Sequence, residues 1–237
     1  LAVPFSLSGA FIGTIDTGAN NDTLSGALSG TGGLQKIGSG TLTLSNASNN
    51  YSGGTTISVG TLALTGSGSL PPTGLAQISA GATLDISQFT SSTTLGDLSA
   101  AATGTLALGT KNLTFGTSNS TTFSGSITGT GGGSLTKQGS GSFDLTGSGS
   151  NTYDGGTTLQ NGTVLISAQD QIGTGGVTFS GNGTLQFGAS ITPFSLPIAF
   201  NTGATGTIDI QGNASTINTA MTGGGAFQKK GAATLTL

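Results

Sequence analysis

Residues 38–66 read GSGTLTLSNASNNYSGGTTISVGTLALTG, a stretch without a charged residue in which a Thr-Leu-x-Leu phrase occurs twice, twenty residues apart. Glycine precedes each phrase. Within a phrase, apolar and small polar residues alternate, which is the periodicity of a β-strand that buries one face. Glycine can adopt the positive φ that a sharp corner between strands requires. The stretch therefore predicts short strands separated by glycine corners and repeated at a regular interval.

The phrase recurs along the whole chain. Neighbouring copies begin 20 to 37 residues apart, and all intervals but one lie between 20 and 27 residues. The interval of 37 residues contains further alternating runs at 112–115 and 121–127, which indicate one degenerate copy. A repeat of this length is typical of a solenoid. The ten copies begin at Thr14, Thr41, Thr61, Thr83, Thr105, Ser142, Thr163, Thr184, Thr207 and Thr234.

The repeat predicts an all-β solenoid, because no window has the pattern of an amphipathic helix and glycine and β-branched residues interrupt every segment. A coil of this length returns to its starting position when its strands stack in parallel, about 4.8 Å apart. We therefore expect a single-stranded right-handed parallel β-helix of about 10–11 coils, each of roughly 20–27 residues. Residues 1–237 would form one elongated segment, a fragment of a longer repetitive chain.

Two other interpretations fit parts of the pattern. An antiparallel sandwich or barrel also has short strands and regular turns, but it does not require the same phrase in every unit. A disordered linker would be rich in glycine and serine, but it would have few aliphatic residues and a high net charge. A stacked ladder explains the recurrence directly, because equivalent residues share one packing environment.

Alternation divides each phrase into inward and outward residues. The outward residue is Asp at four copies, and no two neighbouring copies both have Asp, which avoids like charges about 5 Å apart. Those four residues are Asp16, Asp85, Asp144 and Asp209. The predicted inward pairs are Leu42/Leu44, Leu62/Leu64, Leu84/Ile86, Leu106/Leu108, Phe143/Leu145, Val164/Ile166, Leu185/Phe187, Ile208/Ile210 and Leu235/Leu237.

The composition argues against catalysis, against cofactor and metal sites, and against nucleic-acid binding. The chain has no Cys, His, Trp, Arg or Glu, and its charges are eight Asp and five Lys, with a net charge of −3. We expect no enzyme, because the usual acid–base partners and thiolates are missing, and no cofactor or metal site. The calcium-binding pattern G-G-x-G-x-D is absent, and Asp154 is interpreted as a turn residue that accepts a backbone hydrogen bond. So few basic residues also exclude a nucleic-acid footprint.

A longer repeat overlies the short one. The segments LQKIGSGTLTL at 34–44, LTKQGSGSFDL at 135–145 and FQKKGAATLTL at 227–237 are versions of one block. The first two continue through shared Tyr-x-Gly-Gly-Thr-Thr and Gly-Thr phrases. This pattern resembles the passenger-associated transport repeat of bacterial autotransporters. The matching residues are Lys36, Gly38, Gly40, Tyr51, Gly53, Gly54 and Thr55, then Lys137, Gly139, Gly141, Tyr153, Gly155, Gly156 and Thr157.

The resemblance implies a Gram-negative protein at the cell surface or outside the cell. In that family, a passenger β-helix leaves the cell through an outer-membrane β-barrel, which would lie outside this segment, and the repeat is linked with folding and export. We expect a stiff stalk of an adhesin whose partners are neighbouring repeats of the same chain. The alternative is a self-assembling extracellular filament subunit whose coils stack end to end.

Overall fold

Short parallel strands make up the regular structure in the computed structural model, which describes residues 1–9, 11–90 and 92–237. One 3-10 turn occurs at Gln169–Ile172. The strands are β1 (Phe5–Leu7), β2 (Ile12–Asp16), β3 (Asp22–Leu24), β4 (Leu28–Gly30), β5 (Gly33–Ile37), β6 (Thr41–Leu44), β7 (Thr55–Ile57), β8 (Thr61–Leu64), β9 (Leu75–Ile78), β10 (Thr83–Asp85), β11 (Thr93–Thr94), β12 (Asp97–Ala100), β13 (Thr105–Ala107), β14 (Asn112–Phe115), β15 (Thr121–Thr122), β16 (Ser126–Thr128), β17 (Ser134–Lys137), β18 (Ser142–Asp144), β19 (Thr157–Leu159), β20 (Thr163–Ile166), β21 (Val177–Phe179), β22 (Thr184–Phe187), β23 (Ile198–Phe200), β24 (Thr205–Asp209), β25 (Ser215–Thr216), β26 (Met221–Gly223), β27 (Ala226–Lys230) and β28 (Leu235–Thr236).

These strands form three long ladders, which we call the first, second and third faces. The first face comprises β2, β5, β7, β9 and β12 and continues through a parallel bridge between Ala100 and Phe123 into β15, β18, β20, β22, β24 and β27. The second face comprises β3, β6, β8, β10, β13 and β16. The third face comprises β11, β14, β17, β19, β21, β23 and β26. Two smaller parallel pairs, β1 with β4 and β25 with β28, complete the set.

The first face shows how many coils are stacked. One outward position of this face can be followed from partner to partner, and each partner lies one coil further along the chain. This continuous row of register partners confirms the predicted parallel β-solenoid of about 11 turns. The row, which we call the outer row, is Thr14, Gln35, Thr56, Gln77, Ser99, Thr122, Asp144, Leu165, Gln186, Asp209 and Lys230.

The ten phrases do not form one continuous ladder, which corrects a simple interpretation of the repeat. The phrase at Thr14 lies on the first face, and the four from Thr41 to Thr105 lie on the second. The four phrases from Ser142 to Thr207 return to the first face, and the tenth, at Thr234, contains β28, which pairs with β25. The interval of 37 residues is one coil on the second face, from Thr105 to Ser126, followed by a passage across the third face in β17 to Ser142 on the first face. Such steps are possible because strands on different faces all bury alternating aliphatic residues.

Stacked aliphatic and aromatic side chains fill the interior. All predicted inward residues from Leu42 to Ile210 are buried, with exposed fractions of 2% or less. Leu235 is half-buried and Leu237 is 68% exposed, because no coil covers them in the structure. The phenylalanines also stack, as between Phe179 and Phe200, whose ring centroids lie 4.9 Å apart. The core is therefore continuous along the axis.

The four outward aspartates shape the corners that follow their strands. In each, one carboxylate oxygen accepts the backbone N–H two residues further on, at 2.7–2.9 Å, which is an Asx turn. Asp209 differs in burial, because Gln186 Nε2 donates to its other oxygen at 3.0 Å and its side chain is only 7% exposed. An outward position on this solenoid can thus still be buried by its neighbours along the row.

Candidate functional site

The two long blocks occupy different sides of the solenoid. Strands β5 and β7 of the first block lie on the first face, and β6 and β8 lie on the second. In the second block, β17 and β19 lie on the third face, while β18 and β20 lie on the first. The blocks are therefore related by a step of one face as well as by a shift along the axis, and their tyrosine-containing loops, 45–54 and 146–156, contact different ladders.

Hydrogen bonds from the loops show this difference. In the first loop, the N–H groups of Asn50 and Ser52 donate to carbonyls of β4, at 2.8 and 3.0 Å. In the second loop, the N–H of Thr152 donates at 2.9 Å to the carbonyl of Ile127, which lies in β16 of the second face. Each loop thus occupies the position of a strand and continues the stack without forming regular pairing.

The first feature that the two blocks share is an inward-facing lysine. Lys36 is fully buried, stacked between Ile15 and Ile57 of the neighbouring coils. Its Nζ donates to four oxygens from three successive coils. These acceptors are Thr17 Oγ1 at 3.0 Å, the carbonyls of Ile37 and Gly38 at 3.0 and 2.8 Å, and the carbonyl of Val59 at 3.2 Å.

Lys137 repeats this arrangement in the second block. It is 1% exposed and stacks between Phe115 and Leu159. Its Nζ donates to the carbonyls of Gln138 and Gly139, the latter at 3.0 Å. The lysine of each block therefore donates hydrogen bonds to the carbonyl oxygens at the corner after its strand. These charge-assisted hydrogen bonds offset the cost of removing the ammonium group from water.

Burial lowers the pKa of Lys137 to about 8, although the nearby charge of Asp97 opposes the shift. The pKa of Lys36 is lowered for the same reason, against the charges of Asp16 and Asp22. An unfolded lysine stays protonated to a pH near its ordinary value of 10.5. Between about pH 8 and pH 10.5 the unfolded chain therefore binds more protons than the folded chain, so the free energy of unfolding increases with pH.

We therefore expect the midpoint of chemical unfolding to rise as the pH is raised from about 8 towards 10. Lys137→Met should reduce this rise, whereas Lys111→Met, at a half-buried turn, should retain it. Both are checked by urea titrations across the pH range. The scan stops below pH 10 because burial raises the pKa of Tyr51 and Tyr153, which lowers stability once unfolded tyrosine ionises. An unchanged slope in Lys137→Met would contradict the assignment.

A buried tyrosine–threonine pair is the second shared feature. The hydroxyl groups of Tyr51 and Thr55 lie 2.5 Å apart, and those of Tyr153 and Thr157 lie 2.7 Å apart. Both tyrosines are fully buried, and both threonines are less than 5% exposed. Each pair fastens its loop to the strand that follows, because the tyrosine ring fills the interior and its hydroxyl group has a partner there.

A buried asparagine completes the loop and was missed in the sequence analysis. Asn49 Oδ1 accepts the N–H of Leu28 at 2.8 Å, and Asn151 Oδ1 accepts the N–H of Ile127 at 2.7 Å. Each asparagine lies two residues before the tyrosine of its block. The signal was present as Asn-x-Tyr in both blocks, but asparagine is so frequent in this chain that the match carried little weight.

The glycines of the motif serve two different purposes. Gly38, Gly54, Gly139 and Gly156 have φ between +67° and +84°, which favours glycine. Gly40, Gly53, Gly141 and Gly155 lack space for a side chain: a Cβ on Gly40 or Gly141 would lie 1.8 Å from a carbonyl oxygen of the preceding coil. The sequence predicts a positive φ at the glycine before each phrase, and the structure has it at Gly60 and Gly162. The prediction is wrong at the other phrase glycines, which are Gly13, Gly40, Gly104, Gly141, Gly183 and Gly206. At Gly40 and Gly141, close contact with the preceding coil requires glycine instead.

Asp154 is the acidic residue of the second loop. Its two carboxylate oxygens accept the N–H groups of Gly131 and Gly132, at 2.9 and 2.8 Å, and these bonds lower its pKa. The prediction that it accepts backbone hydrogen bonds is confirmed. Within the part of the chain that the structure describes, no cluster of three or more metal-ligating His, Cys, Asp or Glu side chains occurs. The described part of the chain also contains no helix that is long and apolar enough to cross a membrane.

Comparison with known families identifies both blocks. The model of the passenger-associated transport repeat matches residues 34–64 and 135–166, about a quarter of the chain. These ranges contain every residue that the resemblance singled out. No curated protein and no solved structure matches the chain. The chain therefore contains two passenger-associated transport repeats within a parallel β-solenoid, and together these fit an autotransporter passenger with β-helix repeats.

Proposed function

We propose that this segment is a rigid spacer in the stalk of an autotransporter adhesin, where it holds other parts of the passenger away from the cell. The observation that supports the proposal most directly is the outer row, which runs through about 11 coils over about 48 Å. The recognisable side chains of both repeats are directed to corners and core. A cell-surface location and attachment to an outer-membrane β-barrel are part of the proposal and rest on the family.

Binding assays separate a spacer from an adhesive surface. The purified chain, labelled at an outward position, is applied to host cells and to immobilised extracellular-matrix proteins. A spacer should show no saturable binding above that of an unrelated folded protein, because a binding site usually needs a cluster of aromatic or basic anchors. Saturable binding by the segment itself would contradict the spacer role and favour direct adhesion.

The proposed role involves no catalysis. Its chemical basis is the absence of His, Cys, Arg and Glu from the sequence, which leaves lysine and aspartate as the charged side chains. Lys36 and Lys137 are engaged with backbone oxygens inside the solenoid. Reproducible cleavage of an acidic polysaccharide by the purified chain, lost on Asp substitution, would contradict this part of the proposal.

Salt should have little effect on stability. Stacked aliphatic residues and backbone ladders account for the structure, and neither is strongly screened by ions. We expect the thermal midpoint to change by no more than a few degrees between low and moderate sodium chloride concentrations. A fall of 10 °C or more, the effect of about 3 to 5 kcal/mol in a chain of this size, would instead indicate that surface ion pairs carry the stability.

A second candidate is a filament subunit. An apolar cavity of about 550 Å³ beside Phe5, Leu7 and Leu24 favours it. End-to-end stacking would increase the mass steadily with protein concentration, and a spacer would keep one mass. Light scattering after size-exclusion chromatography over a concentration series distinguishes the two.

A further inference from the structure

The tyrosine loop of each block is bonded to a corner of the preceding coil, and the first of these corners is short. In the first block, the donors are the N–H groups of Ser52 and Gly53. Their acceptors are the carbonyls of Gly30 and Gly32, at 3.0 and 3.1 Å. A single residue, Thr31, lies between these two glycines.

The second block repeats these two hydrogen bonds around a longer corner. The donors are the N–H groups of Asp154 and Gly155. Their acceptors are the carbonyls of Gly129 and Gly133, at 3.1 and 2.8 Å, and residues 130–132 lie between them. The same pair of bonds therefore frames both corners, and the second corner has two additional residues.

The longer corner is matched by a second difference between the blocks. The residue after the tyrosine is Ser52 in the first block and Asp154 in the second. The Asp154 carboxylate is bonded to the lengthened part of the corner: Oδ2 accepts the N–H of Gly131 at 2.9 Å, and Oδ1 accepts the N–H of Gly132 at 2.8 Å. The acidic side chain thus binds the part of the corner that the first block lacks.

Gly131 and Gly132 present their N–H groups as a backbone nest. Their φ values are +78° and +106°, which favour glycine. Successive N–H groups arranged in this way form a concavity that binds anions. Neither N–H donates to a backbone carbonyl in the part of the chain that the structure describes, and a Cβ on Gly132 would meet no atom within 4 Å. The nest is therefore open to solvent, and both of its donors bind one carboxylate.

We propose that the Gly131–Gly132 corner is a binding site for one small oxyanion and that the Asp154 carboxylate is its internal ligand. Carboxylates, phosphate and sulfate are the class of ligand that fits, because each presents two oxygens to the pair of N–H donors. In the native chain Asp154 excludes free anions, since an attached ligand acts at a high effective concentration. The site fastens the tyrosine loop to the preceding coil, which goes beyond the spacer role.

Anion titrations of Asp154→Ser test the site. Serine is the residue that the first block has at this position, and Asp154 is exposed, so the variant should keep the β-structure seen by circular dichroism. At constant ionic strength, formate and phosphate should each move the amide NMR signals of Gly131 and Gly132 along a saturating curve. In the wild-type chain, the same titrations should move these signals by less than about a tenth as much, because the site is filled.

Asp85→Ser is the matched control, because it removes a carboxylate that accepts a backbone N–H at a different corner. Formate and phosphate should move the signals of Gly131 and Gly132 in this variant no more than in the wild-type chain. A flat titration in Asp154→Ser would overturn the proposal, since the vacated donors would then have no affinity for oxyanions. Equal shifts in the wild-type chain and Asp154→Ser would show that Asp154 does not occupy the site.

Shortening the corner provides an independent test. Deletion of Gly131 and Gly132 removes the donors and gives the corner the length found in the first block. Asp154→Ser should lower the midpoint of urea unfolding in the chain with the full corner, because two hydrogen bonds are lost. After the deletion, the same substitution should leave the midpoint unchanged. A loss of equal size in both backgrounds would contradict the assignment, and failure of the spacer role in binding assays would leave these expectations unchanged.

Discussion

Leu84→Asp should lower the free energy of unfolding by about 4 kcal/mol or more near neutral pH. Leu84 is fully buried, and its register partners are Leu62 and Leu106 in the coils on either side. An aspartate at this position would place an unpaired charge within the aliphatic stack. Urea unfolding followed by far-ultraviolet circular dichroism measures the loss.

The adjacent residue provides the control. Asp85 points outward in the same strand, and its Oδ1 accepts the N–H of Ser87 at 2.8 Å. Asp85→Ser keeps a short side chain with an acceptor at this turn, so the free energy of unfolding should change by no more than about 0.5 kcal/mol. Similar losses from the two substitutions would contradict the inward and outward assignment.

Gly141→Ala should cost about 3 kcal/mol or more, because the added methyl group has no space. A Cβ at this position would lie 1.8 Å from the carbonyl oxygen of Asn119 and 2.4 Å from its carbonyl carbon. Both are backbone atoms of the preceding coil, so the contact can be relieved only by separating coils. The free energy of unfolding from urea titration again reports the effect.

Gly149→Ala is the matched control in the same repeat. An added Cβ at Gly149 meets no atom within 4 Å, so this alanine should be nearly neutral, or slightly stabilising because the unfolded chain loses freedom. A tolerated alanine at Gly141 would mean that coils are less closely stacked at this corner than the structure shows.

The fold could be predicted from the sequence because the solenoid imposes one simple requirement many times. Strands such as Thr61–Leu64 and Thr163–Ile166 need alternating burial, and the alternation is visible in the letters. The face that each phrase occupies could not be predicted, since strands on all faces obey the same rule. Only the register, for example Ala100 with Phe123, shows where the ladder of the first face continues.

The repeat residues were found by their order and spacing, but their environment was not foreseen. Lys36 and Lys137 share the parity of Leu34 and Leu135, which places them inside, yet a lysine is ordinarily assigned to the surface. Their burial depends on acceptors from other coils, such as Val59, and these become apparent once the stacking is known. The roles of Asn49 and Asn151 were hidden for the same reason.

Distances along the outer row test most directly whether successive coils lie above one another. The chain has no cysteine, so pairs of spin labels can be introduced cleanly, with Gln35 as the common site and Thr122, Leu165 or Gln186 as the second. These positions lie four, six and seven coils further along the row. Double electron–electron resonance should give label separations that grow linearly with the number of coils between the sites, about 19, 29 and 34 Å before the length of the labels is added. Separations that fail to increase with the number of coils would contradict the stacked solenoid.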